Sequence, residues 1–132
     1  MNKLDILIVD DDAINRMLIK AMLSRNSEIV NSITEATNGA EALNILNETN
    51  NINLILLDIL MPVLDGIGFL KEFRTQKRNS NIPVIILTTD DTKKNEILNY
   101  GADDVLIKPI KEDELIKHIK YWTQEGENIF KA

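Results

Sequence analysis

The sequence predicts an α/β domain, a parallel sheet with helices on both of its faces. Two observations carry this expectation. Short apolar runs alternate five times with longer stretches of helical spacing, the order that parallel strands joined by crossover helices require. The runs themselves, such as "LILL" and "VIIL", are apolar at nearly every position, as strands covered on both faces are.

The first strand is expected over Leu4–Val9 and stops at three consecutive acids, Asp10, Asp11 and Asp12. "AINRMLIKAMLSRN" follows as an amphipathic helix, with Ile14, Met17, Leu18, Ala21 and Met22 as its apolar stripe. A less pure strand, Ile29–Ile33, runs out toward "EATNG", where Glu35 is the one reactive group. "NGAEALNILNETN" places Ala42, Leu43, Ile45 and Leu46 on a helix and ends in an Asn-rich loop. The third strand, Leu54–Leu57, delivers Asp58, and Asp65–Gly66 reads as a turn opening the helix of "GIGFLKEFRTQKR". Basic residues late in that helix suit the negative end of its dipole. The fourth strand, Val84–Leu87, leads to Thr88, Thr89, Asp90 and Asp91. The next helix, in "DTKKNEILNYG", is thin, relying on Ile97, Leu98 and Tyr100 before Gly101 stops it. The fifth strand, Val105–Ile107, reaches Lys108–Pro109. A last helix then carries Leu115, Ile116, Ile119 and Trp122 on one stripe. The stripe is lost in "TQEGENIFKA", so one domain is expected over residues 1–124, with 125–132 as a tail or the start of a linker.

Composition narrows the function. The chain has 132 residues, enough for one core and too few for two ordinary domains. A net charge of -6 argues against direct binding of nucleic acid. With no cysteine there is no disulfide framework, thiolate zinc site or cysteine nucleophile. The first apolar run is stopped by acids, unlike a secretory signal, and no segment nears the ~20 apolar residues that span a bilayer. A cytoplasmic location is expected.

In open parallel sheets, ligands sit beyond the carboxyl ends of the strands, where the strand order reverses. That rim would collect the three acids, Asp58, Thr88 and Lys108. Oxygen donors without His or Cys select a hard cation, Mg2+ first and Mn2+ as the alternative. Such an ion supplies the positive charge that clustered carboxylates need. A lysine opposite it suits an anion gripped between them, most simply a phosphoryl group, to which Thr88 donates. Asp58 is then a metal ligand or a nucleophile on phosphorus.

These residues resemble the receiver domain of two-component and phosphorelay response regulators, chemotaxis regulators among them. The resemblance rests on "ILIVDDD", "LLDILMPVLDG", "PVIILTTDD" and "GADDVLIKPIKEDEL", in the family's order across residues 6 to 115. It implies a flavodoxin-like, doubly wound sheet of five strands in the order 2-1-3-4-5. It implies that Asp58 is the phosphoacceptor. Asp11, Asp58 and the backbone carbonyl of Leu60 would bind Mg2+ directly, and Asp10 through water. Thr88 and Lys108 would contact the phosphoryl group, and the Lys108–Pro109 bond would be cis. The implied donor is a histidine kinase or a histidine phosphotransfer protein. An output partner or domain of unstated kind and a homodimer on activation are also implied, with neither nucleic acid nor membrane as a direct partner.

Some positions depart from the family pattern. Val105 stands where a switch aromatic is usual, and Tyr100, one helix earlier, is not a substitute. Thr89 is bulkier than the very small residue that usually follows the switch hydroxyl. Leu60 offers no side-chain group to position a hydrolytic water, so slow self-dephosphorylation is expected. Asp12 matches no ligand and is expected to cap the first helix. His118 is expected on a solvated face. Asp90, Asp91, Asp103 and Asp104 are expected as caps and solvated residues near the same rim. Two other functions compete. A Mg2+-dependent phosphohydrolase with an aspartyl-phosphate intermediate often has an acid where Leu60 stands. A pseudo-receiver that only binds a partner would have lost the acidic pair, the acceptor or the lysine.

Overall fold

In the computed structural model, which describes residues 3–59, 65–76 and 81–125, each apolar run becomes a strand. These are β1 (Leu4–Val9), β2 (Val30–Ala36), β3 (Leu54–Asp58), β4 (Val84–Thr88) and β5 (Asp104–Ile107). They pair in parallel in the order β2-β1-β3-β4-β5. The crossovers and the closing helix are α1 (Ala13–Ser24), α2 (Gly39–Glu48), α3 (Gly66–Arg74), α4 (Lys94–Asn99) and α5 (Glu112–Lys120). The thin fourth helix is short, and a 3-10 turn over Asp91–Lys93 leads into it.

Strand alternation divides the core in two. Leu7, Val9, Ile55, Leu57, Val84, Ile86 and Val105 face α2, α3 and α4, where Phe69 and Phe73 stack with centroids 5.5 Å apart. Ile6, Ile8, Leu56, Ile85 and Leu106 face α1 and α5, meeting Ile19, Leu23, Leu115 and Ile119. Strand β2 runs three residues past the expected Ile33. It is an edge strand, so Thr34 and Glu35 extend it without full burial.

The expected stripe of α1 is largely wrong, with only Met22 of its members packed against the core. Ile14, Met17 and Leu18 are 65%, 64% and 55% exposed, whereas Ile19 and Leu23 are the residues that reach the core. This helix is apolar around much of its circumference, so spacing alone does not select a face. Polar anchoring does: Arg16, three residues before Ile19, is drawn inward by its bonds to Asp10 and Glu35. Helix α5 continues as a π-helical turn, Tyr121–Glu125, with Thr123 Oγ1 donating to the Ile119 carbonyl (2.7 Å). Residues 126–132 of the expected tail lie outside the described residues.

Asp103 and Asp104 stand at the start of β5, on the rim opposite the carboxyl ends, and neither is simply solvated. Asp104 Oδ2 pairs with His118 Nδ1 at 2.5 Å and accepts from Trp122 Nε1 at 2.8 Å. His118 is therefore tied to the sheet and not free on a solvated face. Arg74, at the end of α3, donates to the carbonyls of Gly101 (2.9 Å) and Ile82 (3.1 Å) and to Asp103 Oδ2 (2.7 Å). Gly101 has φ +110°, and a Cβ there would meet Arg74 Cγ at 3.0 Å. Arg74→Ala strips three acceptors of one donor group and should cost about 1–3 kcal/mol, read as a lower urea midpoint with an unchanged slope.

Candidate functional site

The chain leaves β1 to build β2 on one side and returns to build β3 on the other, so a crevice opens beyond the ends of β1 and β3. Asp10 follows β1 and Asp58 ends β3. Carboxylate oxygens of Asp10, Asp11 and Asp58 all lie within 4.8 Å of one another. From the end of β5, Lys108 Nζ comes within 3.7 Å of Asp58 Oδ1 and 4.0 Å of Asp10 Oδ2. Three carboxylates thus face one ammonium, and the excess is negative. Every donor of the acidic cluster is an oxygen, which fits a hard divalent cation.

Asp10 is only 5% exposed. Burial pushes its carboxyl above the ordinary 3.8, and the Asp58 and Asp11 charges add to the rise. The Asp12 backbone N–H and Lys108 oppose it. That N–H donates to Asp10 Oδ1 at 2.9 Å. The side chain of Asp12 turns the other way and accepts from the N–H groups of Ile14 (2.8 Å) and Asn15 (3.4 Å), capping α1. The three consecutive acids therefore split: Asp12 caps α1, as expected, while Asp10 and Asp11 cluster with Asp58.

Around the rim, Thr88 is buried at the end of β4. Its carbonyl accepts from the Lys108 N–H (2.7 Å), and its hydroxyl oxygen accepts from the Asp90 N–H (3.2 Å). Asp90 in turn caps the 3-10 turn by accepting from the Thr92 N–H. The Lys108–Pro109 bond is cis. Thr89 is exposed. Val105 is buried between the sheet and α4, paired in register with Ile86, and Tyr100 lies under the Lys71 ammonium. Leu60 lies outside the described residues.

Two contributors were not legible in advance. Asp65–Gly66 is more than a turn. Asp65 caps α3 through the Gly68 N–H (2.7 Å), and the Gly66 N–H donates to the Ile59 carbonyl (2.8 Å). A Cβ on Gly66 would sit 2.5 Å from Ile59 Cα and 2.8 Å from the Asp58 carbonyl, so only glycine lets α3 start against the backbone that carries Asp58. The second is Arg16, whose Nη1 donates to the Asp10 carbonyl (2.7 Å) and Nε to Glu35 Oε1 (2.9 Å). Lys20 Nζ holds the other oxygen of Glu35 at 3.0 Å. Its hydrogen bond, followed by that of Arg16, draws the Glu35 carboxyl below the ordinary range. The available signal was the pair Arg16 and Lys20, two basic residues four apart in a largely apolar helix.

Comparison with known proteins gives one consistent picture. The family model of the response regulator receiver domain matches residues 6–120. The receiver domain of Francisella response regulator 1452 is 39% identical, with a TM-score of 0.81 over 94% of this chain and 99% of that one. The receiver domain of the Pseudomonas aeruginosa sensor histidine kinase PA1611 has a magnesium ion coordinated in its active site cleft. It is 30% identical, with a TM-score of 0.81 over 92% of this chain and 98% of that one. The probable transcriptional regulator ycf27 of Cyanophora paradoxa is 37% identical over 130 residues, which are 97% of this chain and 52% of that protein. The chain spans about half or less of the length of such curated relatives.

The raised carboxyl of Asp10 sets a sign. A group raised on folding stabilises the fold below its unfolded value, near 3.8, and that stability is lost as pH climbs through the folded value. In metal-free protein at pH 7, Asp10→Asn should therefore raise the melting temperature. The gain should shrink as acid protonates the wild type. A second comparison separates the neighbouring acids. Asp12→Ala should cost about 0.5–2 kcal/mol of stability and leave any divalent-cation binding by the acidic cluster intact, whereas Asp11→Ala should weaken such binding in calorimetric titration.

Proposed function

The chain belongs to the response regulator receiver domain family, and from that premise we propose that Asp58 accepts a phosphoryl group from a phosphohistidine. The observation that carries this reading is the convergence of Asp58, the acidic pair and Lys108 at one point of the rim. One carboxylate oxygen of Asp58 attacks phosphorus while the P–N bond of the donor breaks. The imidazole leaves with the bonding electrons and takes up a proton from solvent. Asp11, Asp58 and the Leu60 carbonyl would hold Mg2+ directly, and Asp10 through water. Bound there, the ion would neutralise charge on the transferring group. The ammonium of Lys108 faces the phosphoryl oxygens, and the Thr88 hydroxyl turns from the Asp90 N–H to donate to one of them. The product adds about -1.5 to -2 charges at the end of β3, a load that Thr88 and Lys108 convert into a surface change read by an output partner. With Val105 at the aromatic position, the switch works through these two residues alone. Activation by homodimer formation and a cytoplasmic setting complete the proposal.

The exposed apolar residues of α1 bear on the donor. Ile14, Met17 and Leu18 form a patch on the helix that begins beside the acidic pair. Such a patch suits a protein donor, a histidine kinase or histidine phosphotransfer protein, better than a free phosphate ester. That contrast favours the receiver over the phosphohydrolase. Retention of the acidic pair, acceptor and lysine favours it over the pseudo-receiver.

Acetyl phosphate with Mg2+ should label the protein stoichiometrically, and Asp58→Asn should abolish the label. The labelled wild type should persist for minutes, because Leu60 and Thr89 do not assist water. Decay within seconds would remove the slow-hydrolysis part, multiple turnover of a free ester would install the hydrolase instead, and an unlabelled wild type would favour the pseudo-receiver.

A further inference from the structure

We infer that Arg16, held in place by Glu35, is a positioning residue for the cation site and acts through the backbone of Asp10. This inference rests on the proposal that Asp10, Asp11 and Asp58 hold Mg2+. Asp10 is buried, so both polar groups of its main chain need partners. Its N–H bonds the Ala36 carbonyl (3.1 Å) at the end of β2. Its carbonyl receives Arg16 Nη1, and Arg16 is itself 14% exposed at the side chain. The same guanidinium reaches Glu35 through Nε. Glu35 is fixed in the edge strand, in register with Ile8 of β1.

The consequence is a clamp on the peptide that joins Asp10 to Asp11. Rotation of that peptide would swing both carboxylates of the acidic pair away from Asp58. A planar guanidinium holds two acceptors at a fixed angle, whereas a lysine ammonium offers no such rigid fork. Lys20 completes the clamp by taking the remaining oxygen of Glu35, which leaves the first oxygen to Arg16.

Charge and geometry predict opposite signs here, which makes the inference testable. Removing a cation near an acidic cluster should by itself tighten Mg2+ binding. Removing a positioning group should weaken it, by about 10-fold or more. The test is calorimetric titration of Mg2+ into metal-free wild type, Arg16→Ala, Arg16→Lys and Arg25→Ala, with thermal unfolding of each. Arg25 makes an ion pair with Glu112 at the far end of α1 and serves as the control for losing an arginine from this helix. Arg16→Ala should bind Mg2+ about 10-fold more weakly. Arg16→Lys should fall between it and wild type, and Arg25→Ala should match wild type. Affinity in Arg16→Ala equal to or tighter than wild type overturns the inference. If Arg16→Ala does not fold, Arg16→Lys carries the test, and an affinity equal to wild type overturns it. A wild type that takes up no Mg2+ overturns the site proposal and this inference together. Uptake by wild type with undiminished uptake by the Arg16 variants overturns the inference alone.

Discussion

Repulsion between carboxylates at the carboxyl rim is the constraint around which the rest of this structure is arranged. Asp10, Asp11 and Asp58 place oxygens within 4.8 Å of one another, with Lys108 as the cation opposite them. At an effective dielectric near 20, two unit charges at that separation repel by about 3 kcal/mol, and Lys108 at its distance from Asp58 offsets about one such pair. One ammonium therefore balances part of the cluster and leaves the remainder open to a bridging cation. The backbone accommodates the load: the Asp12 N–H supports the Asp10 carboxylate, Arg16 occupies the Asp10 carbonyl, and Asp12 itself is turned onto a helix end.

The opposite rim is built on different logic. There the charges are matched and tied across elements: Arg74 to Asp103 and two carbonyls, and Asp104 to His118 and Trp122. Each of these bonds joins a helix to the start of a strand or to the loop before it. The sheet is thus pinned at one end and electrostatically loaded at the other. A charge added at the loaded end would therefore meet few fixed pairs, whereas the opposite end is already cross-tied.

Much of this was legible in the sequence. Buried parallel strands announce themselves by unbroken apolar runs, and β1 was placed to the residue. The grouping of Asp10, Asp11, Asp58 and Lys108 was legible too, because these residues sit just after strands, where the topology gathers them. The failures have physical reasons. Apolar spacing misplaces the face of α1 because apolar residues lie around much of that helix, and the partly buried Arg16 anchor selects the side. The role of Gly66 depends on a backbone approach from residues seven and eight positions away, which no local pattern encodes. The sequence points His118 to solvent because its partner, Asp104, lies on another element, fourteen residues distant in the chain.

The bond from Trp122 to Asp104 has a spectroscopic consequence. The chain contains one tryptophan, and its indole N–H is held by a carboxylate at the first residue of β5. The last residue of that short strand precedes Lys108. Tryptophan emission from this chain therefore originates at a single seam between sheet and helix, at the far end of the strand whose other end leads to Lys108. The lone indole is thus a built-in optical reporter, set away from the acidic cluster and attached to the strand that leads toward it.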